Sequence, residues 1–189
     1  YLFGRAPGPA PELERATLFT TPRAVPAFSL TDHEGQPFGR AALEGGWTVL
    51  FLGFKHSPDV CPATLATLAA ARRELADLPA AVQPRVVLVT VDPERDTAEK
   101  LAQYVAFFDP AFRGVTGAPE AIATLTAQLG VAVRQGPRDD SGNYTVDHTA
   151  ALFLLDPQGA LVGIFSTPHT PDGIAHDYRR ILEAKGVAS

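Results

Sequence analysis

The sequence predicts an α/β fold with a mixed parallel and antiparallel sheet, on three observations. Two continuous apolar runs, "WTVLFLGF" (47–54) and "RVVLVTV" (85–91), have the composition of strands covered on both faces. Residues 62–78 between them repeat their apolar side chains at helical spacing, and a crossover through a helix makes the two strands parallel. Further on, "TAALFLL" and "ALVGIF" flank the turn "DPQG", an antiparallel hairpin. At 189 residues, 46% hydrophobic and 20% charged, the chain suffices for one domain with a full core.

Each element follows from local chemistry. Residues 1–24 are rich in Pro and Ala without sustained periodicity and read as a linker, with the domain proper over 25–189. "AFSLTDHEGQPFGR" alternates apolar and polar residues around Glu34-Gly35, a hairpin extension ahead of the main sheet. "RAALEG" is a short helix stopped by glycine. In 62–78, Pro62 suits the first helical position, and Leu65, Leu68, Ala69, Arg72 and Leu75 share a face. Residues 96–108 read as a helix capped by Asp96, with Leu101, Tyr104, Val105 and Phe108 on one face. "FRGVTG" is a short strand, and "PEAIATLTAQLG" is a helix stopped by Gly130. The polar segment 135–145 is long for a connection, and such loops carry function or mobility. "PDGIAHDYRRILEAKG" closes the chain as a helix. This order is the thioredoxin-like (glutaredoxin-type) three-layer arrangement.

The bulk properties exclude several classes. A net charge of −5 gives no reason to expect a nucleic-acid partner. No apolar run approaches the roughly 20 residues that cross a bilayer. With one cysteine there is no internal disulfide, so cysteine usage assigns no redox compartment. The chain starts at Tyr1 and contains no Met, which reads as a fragment or processed form with a signal peptide or membrane anchor removed.

The chemistry concentrates in "FKHSPDVCPATL" (54–65). Cys61 follows a central strand and opens a helix, where unpaired N–H groups and the helix dipole lower a thiol's pKa. Three jobs suit such a thiol. A dithiol oxidoreductase needs a resolving cysteine, which this chain lacks. A one-cysteine peroxidase needs a neighbouring hydroxyl, and Ser57 lies four residues before Cys61. A soft-metal site needs thiolate or imidazole ligands converging from separate segments. His148, in "VDHTAALFLLDPQG" between the polar loop and an apolar strand, is the candidate second ligand. His56 adjoins the turn and is a weaker one. His33 and His169 are expected to be solvated, His176 to lie on an exposed helix face, and Asp59 to accept backbone N–H bonds within the turn.

"FLGFKHSPDVCPATL", "VTVDPERDTAEKLAQYVAFFDPAFRGVTGAPEAI" and "VDHTAALFLLDPQG", in this order and spacing, resemble the Sco/SenC family over about residues 22–185. That resemblance implies a thioredoxin-like copper protein assisting assembly of the binuclear copper centre of cytochrome c oxidase. It implies two cysteine ligands in a C-P-x-x-C-P turn and a distant histidine. The second cysteine falls on Cys61, the histidine on His148 and the first cysteine on Ser57. Asp92, in the V-D-P-E-R-D-T stretch, is implied as an acidic neighbour of the site, and His56 is a possible outer partner. Phe54 and Val60 are expected to shield the metal. Ser57 has two origins, an engineered Cys→Ser change, which its intact surroundings favour, or natural loss of a ligand. Either weakens or removes binding of Cu(I) or Cu(II) and removes the dithiol couple. The resemblance also implies a membrane-anchored domain facing the periplasm or another extracytoplasmic space. Its partners would be the oxidase's copper-bearing subunit and other copper chaperones or thiol–disulfide reductants. A thiol peroxidase or reductase acting through Cys61, and a redox or copper sensor, are the alternatives.

Overall fold

The computed structural model describes residues 10–144 and 146–187. Ten strands and four α-helices run β1 (Ala16–Ala24), β2 (Ser29–Asp32), β3 (Pro37–Gly39), β4 (Thr48–Gly53), α1 (Val60–Glu74), β5 (Arg85–Thr90), α2 (Ala98–Phe108), β6 (Arg113–Thr116), α3 (Pro119–Gln128), β7 (Arg134–Gln135), β8 (Val146–Asp147), β9 (Leu152–Leu155), β10 (Ala160–Phe165) and α4 (Pro171–Ala184). Eight strands make one sheet in the order β1-β10-β9-β4-β5-β6-β2-β3, and β7 pairs with β8 apart from it.

The predicted crossover holds. β4 and β5 pair in parallel from Thr48 opposite Arg85 to Gly53 opposite Thr90, and β5 pairs in parallel with β6. The predicted hairpins β2–β3 and β9–β10 are antiparallel. Between them, β9 lies antiparallel to β4, so the mixed sheet has its apolar centre at β4. Every residue of β4 and β9 is buried, each large side chain contributing roughly 1.5–3 kcal/mol by leaving water. α1 packs on α4, and α2 lies so close to β6 that a Cβ on Gly114 would come 2.8 Å from Leu101 Cβ. Trp47 meets Tyr178 of α4 edge-on at 6.3 Å, tying that helix to the start of β4.

Three local expectations change. Residues 16–24, expected as part of a linker, form edge strand β1 antiparallel to β10, while residues 1–9 lie outside the described residues. α1 begins at Val60, two residues early, so Pro62 is its third residue; a first-turn proline still sacrifices no helical hydrogen bond. α2 is capped by the Thr97 hydroxyl, which accepts from Lys100 N, and not by Asp96. The Asp96 carboxylate is turned inward and fully buried.

Candidate metal centre

β4 delivers the chain to the sheet's C-terminal edge, and the turn after Gly53 returns it into α1. Ser57 N donates to Phe54 O at 3.2 Å, closing that turn. Ser57 Oγ accepts from Cys61 N at 3.5 Å, filling a role that caps play at helix starts. Asp59, expected to make such bonds, is the residue at the N-cap, but its side chain makes no capping hydrogen bond.

Cys61 Sγ and His148 Nε2 lie 4.0 Å apart although 87 residues separate them in sequence. His148 Nδ1 is 2.7 Å from Thr149 O. A carbonyl only accepts, so Nδ1 carries the proton and Nε2 presents its lone pair towards the sulfur. The Phe54 ring, 5% exposed, meets the His148 ring edge-on at 5.7 Å and covers it. Val60, expected to help shield the site, is instead 50% exposed.

The thiol's environment differs from the sequence expectation. Cys61 is completely buried, and burial pushes its pKa up, as does the charge of Asp96. The Ser57 hydroxyl and a Phe54 backbone bond act in the opposite direction without overcoming burial. The dipole argument for a lowered pKa therefore fails here, since desolvation disfavours the thiolate more than the helix start favours it. Gly53 permits the packing, because a Cβ there would stand 3.0 Å from Cys61 Sγ and 2.9 Å from Phe51 Cε1.

Sulfur and nitrogen at this spacing suit a soft ion. Two bonds of roughly 2.0–2.3 Å, the lengths found for zinc, let one ion touch both atoms. Binding replaces the thiol proton, which removes the cost of a bare buried thiolate. Ser57, on the same turn, offers only a hydroxyl.

Asp92 is joined to the polar loop that leads to His148. It is 3% exposed; its Oδ1 accepts from Tyr144 Oη at 2.5 Å, and its Oδ2 pairs with Arg95. The Arg95 guanidinium lies 3.8 Å from the Tyr144 ring centroid and donates to Tyr144 O at 3.1 Å. Arg138 also lies over that ring, at 4.5 Å, and pairs with Glu94. Burial and the Asp92 carboxylate push the Tyr144 hydroxyl up to about 12, so it remains a donor at neutral pH. Tyr144 precedes His148 by four residues, and these bonds fasten the His148 arm to the 92–97 turn.

Sequence reasoning missed Arg95, Asp96, Tyr104 and Tyr144 as neighbours of the site. The aromatic preceding "VDH" and the arginine of "VDPERD" were the available signals for Tyr144 and Arg95. Tyr104 was expected only as an apolar-face residue. Its hydroxyl is buried with no hydrogen-bond partner among the described residues, and burial with the charges of Cys61 and Asp96 pushes its pKa up. His56 is exposed, with Nδ1 3.7 Å from Asp96 Oδ1. Two other histidines are less solvated than expected. His33 Nδ1 accepts from Gly114 N, bracing the β2 end against β6, and His169 Nε2 is 2.7 Å from Ala150 O. His176 is exposed on α4 as expected, beside Asp177.

The SCO1/SenC family model matches residues 17–183. The mouse SCO2 homolog, a mitochondrial protein, is 39% identical over 160 residues, covering 83% of this chain and 62% of its own length. The chain thus spans less than two thirds of that relative. The Arabidopsis thaliana ScoI structure with copper bound superposes with a TM-score of 0.78 at 33% identity, covering 85% of this chain and 99% of that one. Bradyrhizobium japonicum ScoI with copper bound gives a TM-score of 0.73 at 35% identity, covering 82% and 97%. Shared sequence and shared thioredoxin-like fold extend over nearly all of the domain: this chain belongs to the SCO1/SenC family.

Proposed function

We propose that this protein binds copper through Cys61 and His148 and serves assembly of the binuclear copper centre of cytochrome c oxidase. The observation that carries the reading is the 4.0 Å approach of Cys61 Sγ to His148 Nε2, with the Nε2 lone pair facing the sulfur. Copper-bound ScoI structures of the same fold, at 33% and 35% identity, support it. Copper is cargo here, held by a thiolate and an imidazole that suit Cu(I), and Ser57 stands where a second thiolate would bind. The hydroxyl is a poor soft ligand, so this chain holds copper more weakly than a two-cysteine form. It also lacks the intramolecular dithiol that reduction of a partner's cysteines would use.

The complete burial of Cys61, and a pKa pushed up by that burial, count against a thiol peroxidase. The copper-bearing oxidase subunit is the proposed recipient, with other copper chaperones or thiol–disulfide reductants upstream. The domain would work on the extracytoplasmic side of a membrane, in line with the mitochondrial mouse relative. No helix among the described residues is long and apolar enough to cross a membrane.

Copper titration tests the ligand set. Ser57→Cys should bind Cu(I) more tightly than the chain as it stands and show a thiolate-to-copper charge-transfer band when loaded with Cu(II). Adding His148→Ala should abolish the band and weaken binding. Copper affinity indifferent to both changes would remove Cys61 and His148 as the ligands.

A further inference from the structure

The turn between β5 and α2 holds two buried carboxylates in close company. Asp92 is 3% exposed and Asp96 0%. One oxygen of each, with a ring nitrogen of His56, all lie within 4.8 Å of one another. Among the described residues no other group of three or more His, Cys, Asp or Glu side chains comes so close, and neither Cys61 nor His148 belongs to this one.

Outer partners already orient both carboxylates. Asp96 Oδ2 accepts from Lys55 N at 3.0 Å and from Thr90 Oγ1 at 2.9 Å. Those two bonds leave Asp96 Oδ1 buried, without a hydrogen-bond donor among the described residues, and facing His56 Nδ1 at 3.7 Å. Asp92 is held by the Tyr144 hydroxyl and by Arg95. Metal-ligating carboxylates are held this way, and each carboxylate keeps acceptor capacity its partners do not use, on Oδ1 of Asp96 and on the singly hydrogen-bonded oxygens of Asp92.

The charge balance points the same way. Arg95 offsets Asp92, whereas Asp96 faces only the imidazole of His56, which carries a charge only when protonated, and a buried anion so lightly compensated is costly. His56 reaches the pair from the β4–α1 turn, and its exposure leaves an approach open from solvent.

We propose that His56, Asp92 and Asp96 form a second cation site, separate from the Cys61–His148 pair, that takes a borderline divalent ion such as zinc or cobalt. One imidazole and two carboxylates, with no sulfur, suit such ions, whereas Cu(I) selects thiolate. His56 and Ser57 are adjacent, so one turn borders two sites of different softness, and a divalent ion at the first would fix the turn that borders the second. The inference rests on the carboxylate geometry and not on the copper reading.

Cobalt(II) alone, titrated and followed by its visible d–d absorption, tests it. A Cys61→Ala/His148→Ala chain should bind one equivalent of Co(II) with no thiolate-to-cobalt charge-transfer band. Adding His56→Ala, or Asp96→Asn, should weaken that binding by more than the roughly 10- to 100-fold that loss of an outer partner costs. Where circular dichroism shows that the double replacement unfolds the chain, the unaltered protein carries the test. It must then bind a sulfur-free Co(II) equivalent that His56→Ala, at an exposed position, removes. Absence of any sulfur-free equivalent would show that His56 and Asp96 make an ion pair only, and overturns the site. So does Co(II) binding that survives His56→Ala unchanged.

Discussion

Gly53 sets how closely β4 approaches the sulfur of Cys61. A methyl there meets Phe51, Cys61 and Leu88 at 2.9–3.0 Å in a region with no exposed side to yield. Gly53→Ala should therefore lower stability by about 1–3 kcal/mol, the usual cost of overpacking a core, and should weaken copper binding by displacing Sγ from Nε2. Urea unfolding and copper titration check the two effects, and an unchanged midpoint would show that the core relaxes freely. Cys61 and His148 were legible from sequence because each sits beside an element boundary whose chemistry is local. The burial that raises the thiol's pKa was not legible. It arises from the close packing of α1 on the sheet, where a Cβ on Gly53 would stand 3.0 Å from both Cys61 Sγ and Leu88 Cδ1, and that packing exists only once β4 and β5 have paired. Asp96 was hidden for a related reason. An aspartate before a helical run reads as a cap, but Thr97 takes that role and Asp96 serves Lys55 N, 41 residues earlier.

The polar loop behaves as a fastened arm at the scale of the element. β7 and β8 pair at its base, and beside that pair its C-terminal end is locked where the Tyr144 hydroxyl reaches Asp92 beneath the Arg95 guanidinium. Length and polarity showed that residues 135–145 were unusual, but not what held them, because the partners come from the β5–α2 turn. Tyr144→Phe keeps the ring under Arg95 and removes only the hydroxyl's bond to a buried carboxylate. A hydrogen bond to a charged group contributes about 1.5–3 kcal/mol. Local amide exchange over 136–144 should accelerate, and copper affinity should fall because His148 is held less firmly. Global unfolding should change less than the loop does. Exchange that stays at the original rate would mean that the arginines alone hold the arm. Arg95→Ala, which removes the stack, the ion pair and the bond to Tyr144 O together, should loosen the loop more than Tyr144→Phe.

Across the whole molecule, the eight-stranded sheet ends at β1, whose place depends on α4. The β4–α1–β5 crossover and both hairpins were readable because apolar runs and turn residues lie within a few positions of one another. β1 was not, because most of its residues stay partly or fully exposed and its pairing with β10 shifts register between Leu18 and Arg23. A strand of that kind carries no clean alternation, and its position is fixed from elsewhere. Asp177 of α4, fully buried, accepts the backbone N–H groups of Glu14 and Arg15 and of Ala16, each at 2.8 Å. Burial by itself would raise the carboxyl's pKa, but these three donors and His176 outweigh it and hold the group below its ordinary value. A depressed carboxylate pKa favours the folded state above the unfolded value near 3.9 and loses that effect as pH falls through the folded value. Asp177→Asn should therefore cost about 1–3 kcal/mol at neutral pH, where three N–H groups lose a charged acceptor. The difference between the two proteins should stay level down to about pH 4 and shrink below it, as the unaltered chain surrenders the same contribution. Urea unfolding of both proteins across the acid range measures this. A difference that persists unchanged well below pH 4 would show that the cost of the amide is not the loss of charge, and that the Asp177 charge does not dock β1.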